Sequence, residues 1–361
     1  MEVHPTQLIP QCIIVDDVMG RTNRAIIQKD TVLNELHIEF LQKFFVDKVE
    51  VAEKLATGEP YHPKVRQDYN GKQANTSRVE SLSLWDHYEE TVSNYKHMFQ
   101  RWQSGSPVDM QEVRTLIVPL LERIDEFGLA LLALYKHVDQ EDYFYHHSVA
   151  TSILSTMLAK KMGIKKEWLQ IGIAAFLAES GMAKVHPSII YKEGMLTEAD
   201  FNEIKKHPTY SYRYIEKTPS LSHGAKLAIL QHHERLDGTG YPLGVKDDKI
   251  HKYAKIIAIC DTYHAMTSVR DYRKRLSPFA TLEQMEQDKF QKFDQQILKK
   301  FIRSMAALPL GTKVRLSNQA IGEIVHIELT APTRPIIRME TSNELLSLKI
   351  TKDISIEDVL S

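Results

Sequence analysis

A chain of 361 residues, 43% hydrophobic and 26% charged, is long enough for two or three domains and has the make-up of an ordinary soluble globular protein with a sizeable core. Its 46 Lys and Arg against 47 Asp and Glu exclude a global field that would draw it onto a nucleic-acid polymer or an acidic membrane surface, so any anionic ligand must be held locally. The two cysteines, Cys12 and Cys260, lie far apart and offer neither a disulfide framework nor a paired-cysteine metal site, a usage that suits a reducing compartment.

The opening segment lacks a basic region followed by a long apolar run, and no stretch approaches the roughly 18 apolar residues of a membrane span. The expectation is a cytoplasmic protein without membrane insertion. Residues 1–57 hold short β-like runs, Cys12-Ile13-Ile14-Val15 and Val49-Glu50-Val51, around a helical pattern from Glu35 to Phe45 with Leu36, Phe40, Leu41, Phe44 and Phe45 as apolar positions. This predicts a small α+β N-terminal module. Residues 58–78 are polar and rich in turn formers, as a linker would be.

Residues 79–308 carry an almost wholly helical pattern, broken at Ser104-Gly-Ser-Pro, at Gly163, between Gly181 and Gly194, and in the glycine-rich run after His233. Within it, Leu84, Tyr88, Val92 and Tyr95 line one side of a run from Leu82 to Trp102, which suits a core-packing helix and also a signalling or dimerisation helix. Residues 309–361 change to alternation, in Lys313-Val-Arg-Leu, Gly322-Glu-Ile-Val-His-Ile, Pro335-Ile-Ile-Arg-Met and Leu345-Leu-Ser-Leu-Lys-Ile. A small β-rich C-terminal module follows from that pattern, and the fold class expected is mainly α with small modules at both ends.

Residues with chemical potential concentrate between positions 147 and 275. His147 shares a helix side with Leu154 and Leu158, where a histidine needs a partner, either a backbone carbonyl or a bound ligand. His207 precedes a proline, which favours a helix end nearby, and is by itself either a surface cap or a ligand. Gln231-His232-His233-Glu234-Arg-Leu-Asp237-Gly238-Thr-Gly240-Tyr241-Pro242-Leu-Gly244 is more telling. It sets two adjacent imidazoles at a helix end beside a glycine-rich loop whose backbone can approach a ligand closely.

Asp261 emerges from an apolar helix face made by Ile257, Ala258 and Ala265, so its carboxylate must pair with a cation, protonate or bind a metal. The following run, Arg270-Asp-Tyr-Arg273-Lys-Arg, is either a solvated basic face or a phosphate clamp. Several histidines and an aspartate spread over successive helices suggest a nitrogen- and oxygen-liganded metal site able to activate water for hydrolysis.

At these residues the chain resembles the HD-GYP subgroup of the HD phosphohydrolase superfamily, over about residues 140–300. His232-His233-Glu234 with Asp237-Gly238 and Gly240-Tyr241-Pro242 matches that family's HHExxDGxGYP signature in full. Tyr145-His146-His147, Glu203-Ile-Lys-Lys-His207-Pro and the segment from Asp261 to Arg273 are similar to its first-ligand helix, middle histidine, final aspartate and basic tail. The resemblance implies an HD-type helical bundle hydrolysing cyclic di-GMP or a related nucleotide with divalent ions, iron or manganese. It implies His147, His207, His232, His233 and Asp261 as metal ligands, with Gly240, Tyr241, Pro242, Arg270 and Arg273 at the nucleotide.

The chain departs from the family where the HD dyad and its following Gly-Lys should stand, reading Ala178-Glu179-Ser180-Gly181-Met182. Glu179 keeps the carboxylate for a metal but moves it one methylene outward. Ala178 supplies no ligand, and Lys184 offers the charge that Met182 lacks. Two outcomes follow from this departure. One is a phosphodiesterase with an altered metal site. The other is a catalytically inactive protein that binds a nucleotide or a signalling partner, with room for a homodimer.

Overall fold

A computed structural model describes residues 1–3, 7–19, 25–35, 37–38, 41, 48–61, 63, 82–138, 142–192, 194–268, 276–287 and 292–360. The chain divides into two compact units, Met1–Trp85 and Asp86–Ser361.

The first unit is built on two short antiparallel pairs among β1 (Glu2–Val3), β2 (Val18–Met19), β3 (Ala25–Ile27) and β4 (Val49–Glu50), in which β1 pairs with β4 and β2 with β3. Cys12, Ile14, Leu33, Leu41 and Val51 form its core with neighbouring apolar side chains. The run Cys12–Val15, expected as a strand, makes only isolated bridges, Ile13 to Val32 and Ile14 to Val51. Its partners come from two different segments, so no continuous ladder forms. Of the expected helix, Leu41 is buried in this core, while Leu36, Phe40, Phe44 and Phe45 lie outside the described residues.

The second unit is helical. In chain order it runs through α1 (Leu84–Gln103), α2 (Met110–Glu122), α3 (Ile124–Phe127), α4 (Tyr143–Lys161), α5 (Trp168–Ala178), α6 (Pro187–Ile190), α7 (Glu198–Ile204), α8 (His207–Ile215), α9 (His223–Gln231), α10 (Lys252–Thr267), α11 (Pro278–Gln287) and α12 (Gln295–Met305). Among the described residues, no helix is long and apolar enough to cross a membrane. Leu84, Tyr88, Val92 and Tyr95 on α1 are all buried, so this helix packs into a core, its Tyr95 ring 4.6 Å from that of Phe176 on α5.

Helix α4 is buried on all sides from Tyr145 to Ala159, as is α5 from Ile171 to Ala178. A helix apolar all round belongs at the centre of its domain, and these two form the axis on which the others are hung. One buried polar residue ties the two helices together: Ser152 Oγ donates to the carbonyl of Gly172 at 2.7 Å.

Local signals fix the helix ends around the axis. Asp109, Ser222 and Asp294 cap the starts of α2, α9 and α12 with their side chains. Thr197 and Asp200 form a reciprocal capping box at α7. A helix end does stand near the proline after His207, since α7 ends at Ile204, and Pro208 itself lies in the first turn of α8, where its missing N–H would have had no helical partner. His207 therefore opens α8.

The C-terminal alternation folds as one antiparallel sheet of β5 (Lys313–Leu316), β6 (Ile321–His326), β7 (Ile336–Met339), β8 (Leu345–Ser347) and β9 (Ile356–Val359), in the order β8-β7-β6-β5-β9. Val314, Leu316, Ile324, Ile337 and Ile356 are fully buried at alternate positions. The sheet sits against the helices through Ser277 Oγ, which donates to the Ile356 carbonyl at 2.9 Å, and through ion pairs Lys136–Asp358 and Arg334–Glu283.

Candidate metal centre

Five separate segments deliver six side chains to one place. Helix α4 carries His147 one turn in from its start, and Glu179 is the residue at which α5 ends. His207 is the first residue of α8, His232 and His233 close α9, and Asp261 projects from the buried face of α10. Glu179, His207 and His232 are buried, as are His147 and Asp261, while His233 keeps a partly exposed edge.

Two overlapping groups result, Glu179 with His207, His232 and His233, and Glu179 with His147 and Asp261. In each, the candidate donor atoms lie within 4.8 Å of one another. Glu179 Oε1 stands 3.2 Å from His232 Nε2, 3.3 Å from His207 Nε2 and 3.6 Å from His233 Nε2. Asp261 Oδ1 is 2.8 Å from His147 Nε2, and its Oδ2 is 3.7 Å from His233 Nδ1. His233 thus turns one ring nitrogen to each carboxylate and links the two groups. The partners of Asp261 are imidazoles, which removes the alternative of an ion pair to Lys or Arg among the described residues.

The histidine tautomers are set by backbone. His207 Nδ1 faces the Ile204 carbonyl at 2.8 Å, and His232 Nδ1 faces that of Ile229, also at 2.8 Å. A carbonyl only accepts, so each Nδ1 donates and each neutral ring offers its lone pair at Nε2. Those two Nε2 atoms are 3.3 Å apart and both look at Glu179. Three acceptors facing one another require positive charge between them, from protons or from a cation. The donor set of imidazole nitrogen and carboxylate oxygen fits a borderline divalent ion.

The electrostatics of the cluster's own side chains carry the same demand. Burial pushes the Glu179 carboxyl up, but the charge of His207 and hydrogen bonds from three histidines outweigh it and hold the group well below the usual carboxylate range. Burial opposes charge on His207 too, and the Glu179 carboxylate outweighs it, so His207 titrates above its ordinary value. His233 goes the other way, down to about 3, through burial and the neighbouring charge of His232. Asp261 is held low because the hydrogen bond from His147 outweighs its burial.

The loop after α9 forms one wall of the site. Tyr241 sets its ring 4.7 Å from that of His233 and 6.3 Å from that of His207. Gly240 passes so close beneath that an added Cβ would stand 2.4 Å from both the Arg235 nitrogen and the Glu234 Cα. Pro242 follows Tyr241 through a cis peptide bond. On the opposite side, Ala178 is buried and its carbonyl accepts a hydrogen bond from Ser211 Oγ at 2.6 Å. Met182 is buried as well, whereas Lys184 is exposed and lines a separate cavity of about 340 Å³ with Tyr210, Arg213 and Tyr214. Its ammonium lies 5.9 Å from the Tyr214 ring centre. Arg270 and Arg273 lie outside the described residues.

Sequence reasoning did not single out four residues that shape this site. Glu234 is buried and accepts backbone N–H groups from Leu243 at 2.7 Å, Gly244 at 3.2 Å and Val245 at 3.2 Å, so it fastens the loop that carries Tyr241. Ser211 links α5 to α8. Tyr143 and His264 both touch the outer nitrogen of His147. Their signals were spacings, Tyr143 four residues before His147 and His264 three after Asp261, each one helical turn away. His146, beside His147, faces elsewhere and meets the Tyr88 hydroxyl at 3.1 Å.

Comparison with known proteins places the cluster within a matched domain. The HD domain family model matches residues 133–297, which include all six residues of the cluster. The chain is 30% identical over 229 residues to the cyclic di-GMP phosphodiesterase PA4108 of Pseudomonas aeruginosa, covering 63% of this chain and 55% of that protein. It is 33% identical over 203 residues to the cyclic di-GMP phosphodiesterase PdeB of Borreliella burgdorferi, covering 56% and 53%. A 3'3'-cGAMP-specific phosphodiesterase, number 3 of Vibrio cholerae, is 30% identical over 181 residues, covering 49% and 39%. The matched region thus spans about half the length of the first two relatives. Among solved structures, Bd1817, an HDG"Y"P protein from Bdellovibrio bacteriovorus, shares the fold with a TM-score of 0.50 at 14% identity, over 84% of this chain and 98% of that one. With its complete GYP string, its clustered histidines and its HD domain match over residues 133–297, this region is similar to the HD domains of cyclic dinucleotide phosphodiesterases.

Proposed function

We propose that the protein is a metal-dependent phosphohydrolase acting in the cytoplasm on cyclic di-GMP or a related cyclic dinucleotide such as 3'3'-cGAMP. The observation that carries this reading is the meeting of His147, Glu179, His207, His232, His233 and Asp261 around two carboxylates in one buried cluster. The relatives' named activities support the substrate class. These six side chains would hold the ions, iron or manganese. Bound there, divalent ions would acidify a water molecule and neutralise charge on a phosphodiester.

The chain's own residues do the rest. Carbonyls of Ile204 and Ile229 aim two imidazoles inward, and Tyr241 with Gly240 and Pro242 forms the wall against which a nucleotide would lie. Arg270 and Arg273 are the cations assigned to its phosphates, while Lys184 faces a separate cavity. Protein loaded with manganese or iron(II) is expected to convert cyclic di-GMP or 3'3'-cGAMP to linear product, resolved by chromatography. A rate equal to that of the chelated protein would reject the reading.

A second reading is favoured by Ala178, which brings no donor where the family places a histidine. Under it the protein binds a cyclic dinucleotide, or a signalling partner or second copy of itself, without hydrolysis. Calorimetry with cyclic di-GMP separates the two, since binding without turnover supports the second. Restoring the dyad as Ala178→His with Glu179→Asp is then expected to raise both metal content and hydrolysis.

A further inference from the structure

Three histidines in the cluster offer a nitrogen toward a carboxylate while the other ring nitrogen has a fixed partner. For His207 and His232 that partner is a backbone carbonyl. His147 has no such carbonyl: its Nε2 faces Asp261 Oδ1 at 2.8 Å, and its Nδ1 faces the Nδ1 of His264 at 2.9 Å. The Tyr143 hydroxyl is the next nearest group, at 3.3 Å. His264 is fully buried on α10, one turn beyond Asp261, so the ligand carboxylate and the group behind the ligand histidine come from the same helix face.

We propose that His264 is a positioning residue that holds His147 as a metal ligand by accepting its Nδ1–H. Two imidazole Nδ1 atoms 2.9 Å apart share one proton, so one donates and the other accepts. When His147 gives its Nε2 lone pair to an ion, its own proton must sit on Nδ1, and the nearest acceptor is His264 Nδ1. Partners of this kind fix ring orientation and raise ligand basicity, and their loss costs metal affinity about 10–100-fold. The inference rests on reading His147 as a metal ligand.

The test uses the full chain with zinc(II), which is diamagnetic, as the probe. Zinc affinity is measured by chelator competition, and histidine tautomers by long-range nitrogen–proton correlation spectra. In the zinc-loaded parent, His147 is expected to carry its proton on Nδ1. His264→Asn keeps an acceptor near the same position and should bind zinc within a few-fold of the parent, while His264→Leu should bind about 10–100-fold more weakly. Tyr143→Phe, which removes the more distant of the two groups at His147 Nδ1, should weaken zinc binding less than His264→Leu. A His147 Nδ1 without a proton in the zinc form overturns the proposal, whatever becomes of the variants. So does a folded His264→Leu protein with parental affinity, or a His264→Asn protein as weak as His264→Leu. A parent that binds no zinc rejects the metal-dependent reading as a whole, an outcome distinct from failure of the His264 role alone.

Discussion

Glu179 Oε1 and His232 Nε2 stand 3.2 Å apart, with the other nitrogen of that ring tied to a carbonyl. The Glu179 carboxylate therefore faces the lone pairs of both His207 and His232, and its removal should deplete the site of metal. Glu179→Gln keeps the shape and deletes the charge. It is expected to lower bound manganese or zinc, by elemental analysis after desalting, far below that of the parent. Because the Glu179 charge is what raises His207, the same variant should let His207 titrate lower in metal-free protein, followed by proton NMR. Glu179→Asp alone should also weaken binding, since it withdraws the oxygens by about 1.5 Å, one carbon–carbon bond, with no new ligand at Ala178.

Metal-free and metal-loaded protein should respond to pH in opposite directions above neutrality. His207 is raised above its ordinary value of 6.5, so its contact with Glu179 contributes stability in full below that value and loses it as pH rises through the raised one. His233, lowered to about 3, resists protonation in the fold, so the unfolded chain gains protons preferentially between about 3 and 6.5 and stability falls as pH drops through that range. Metal-free protein should thus be most stable near 6.5. With metal bound, His207 must give up its proton, so affinity and stability rise with pH instead. Thermal melts at pH 6.5 and pH 8.5, with and without chelator, read the two slopes directly; parallel slopes would count against metal binding at His207.

Much of this centre was legible in the sequence because its residues obey local rules. His232 and His233 sit where a helix ends before a glycine-rich loop, and Asp261 interrupts an apolar helix face, so each announced an unmet need for a partner. The partners themselves were not legible. Glu234 acts through backbone N–H groups of Leu243, Gly244 and Val245, which any sequence possesses, and His264 and Tyr143 matter only because α4 and α10 pack together. The same holds for the fold. Alternation after Pro309 predicted strands, but not that β9 returns to pair with β5 at the far side from β8. The Cys12–Val15 run had strand propensity and no single neighbour to form a ladder with.

Gly181 shows how tightly the altered dyad is packed. A Cβ there would lie 2.1 Å from the His207 carbonyl oxygen and 2.5 Å from the Ser211 nitrogen, both backbone atoms that cannot swing away. Gly181→Ala should force the turn after Glu179 away from α8, destabilise the protein by about 1–3 kcal/mol as overpacking does, and lower metal content by moving His207 from Glu179. Ser211→Ala cuts the same junction without overpacking it. Ser211 Oγ accepts the Gly181 N–H at 2.7 Å and donates to the Ala178 carbonyl at 2.6 Å, so its loss orphans two buried groups at about 1–3 kcal/mol each. Chemical denaturation measures both; an unchanged Gly181→Ala protein would mean that the close approach is absent in solution.

Glu234 offers the means to loosen the loop that carries Tyr241 without touching a cluster residue. Its two oxygens satisfy three successive N–H groups, and that clamp sets where Tyr241 stands over His233. In Glu234→Ala those donors must find water, and the loop from Gly238 to Val245 should open. Amide exchange at Leu243, Gly244 and Val245 is expected to accelerate strongly, while Glu234→Gln, which keeps an accepting oxygen, should fall between the two. Metal content should hold in both variants, because none of the six cluster residues contacts the Glu234 carboxylate among the described interactions. Affinity for cyclic di-GMP should drop in the order parent, Gln, Ala. Slow exchange at those three amides in Glu234→Ala would show that the loop is held by something other than this carboxylate.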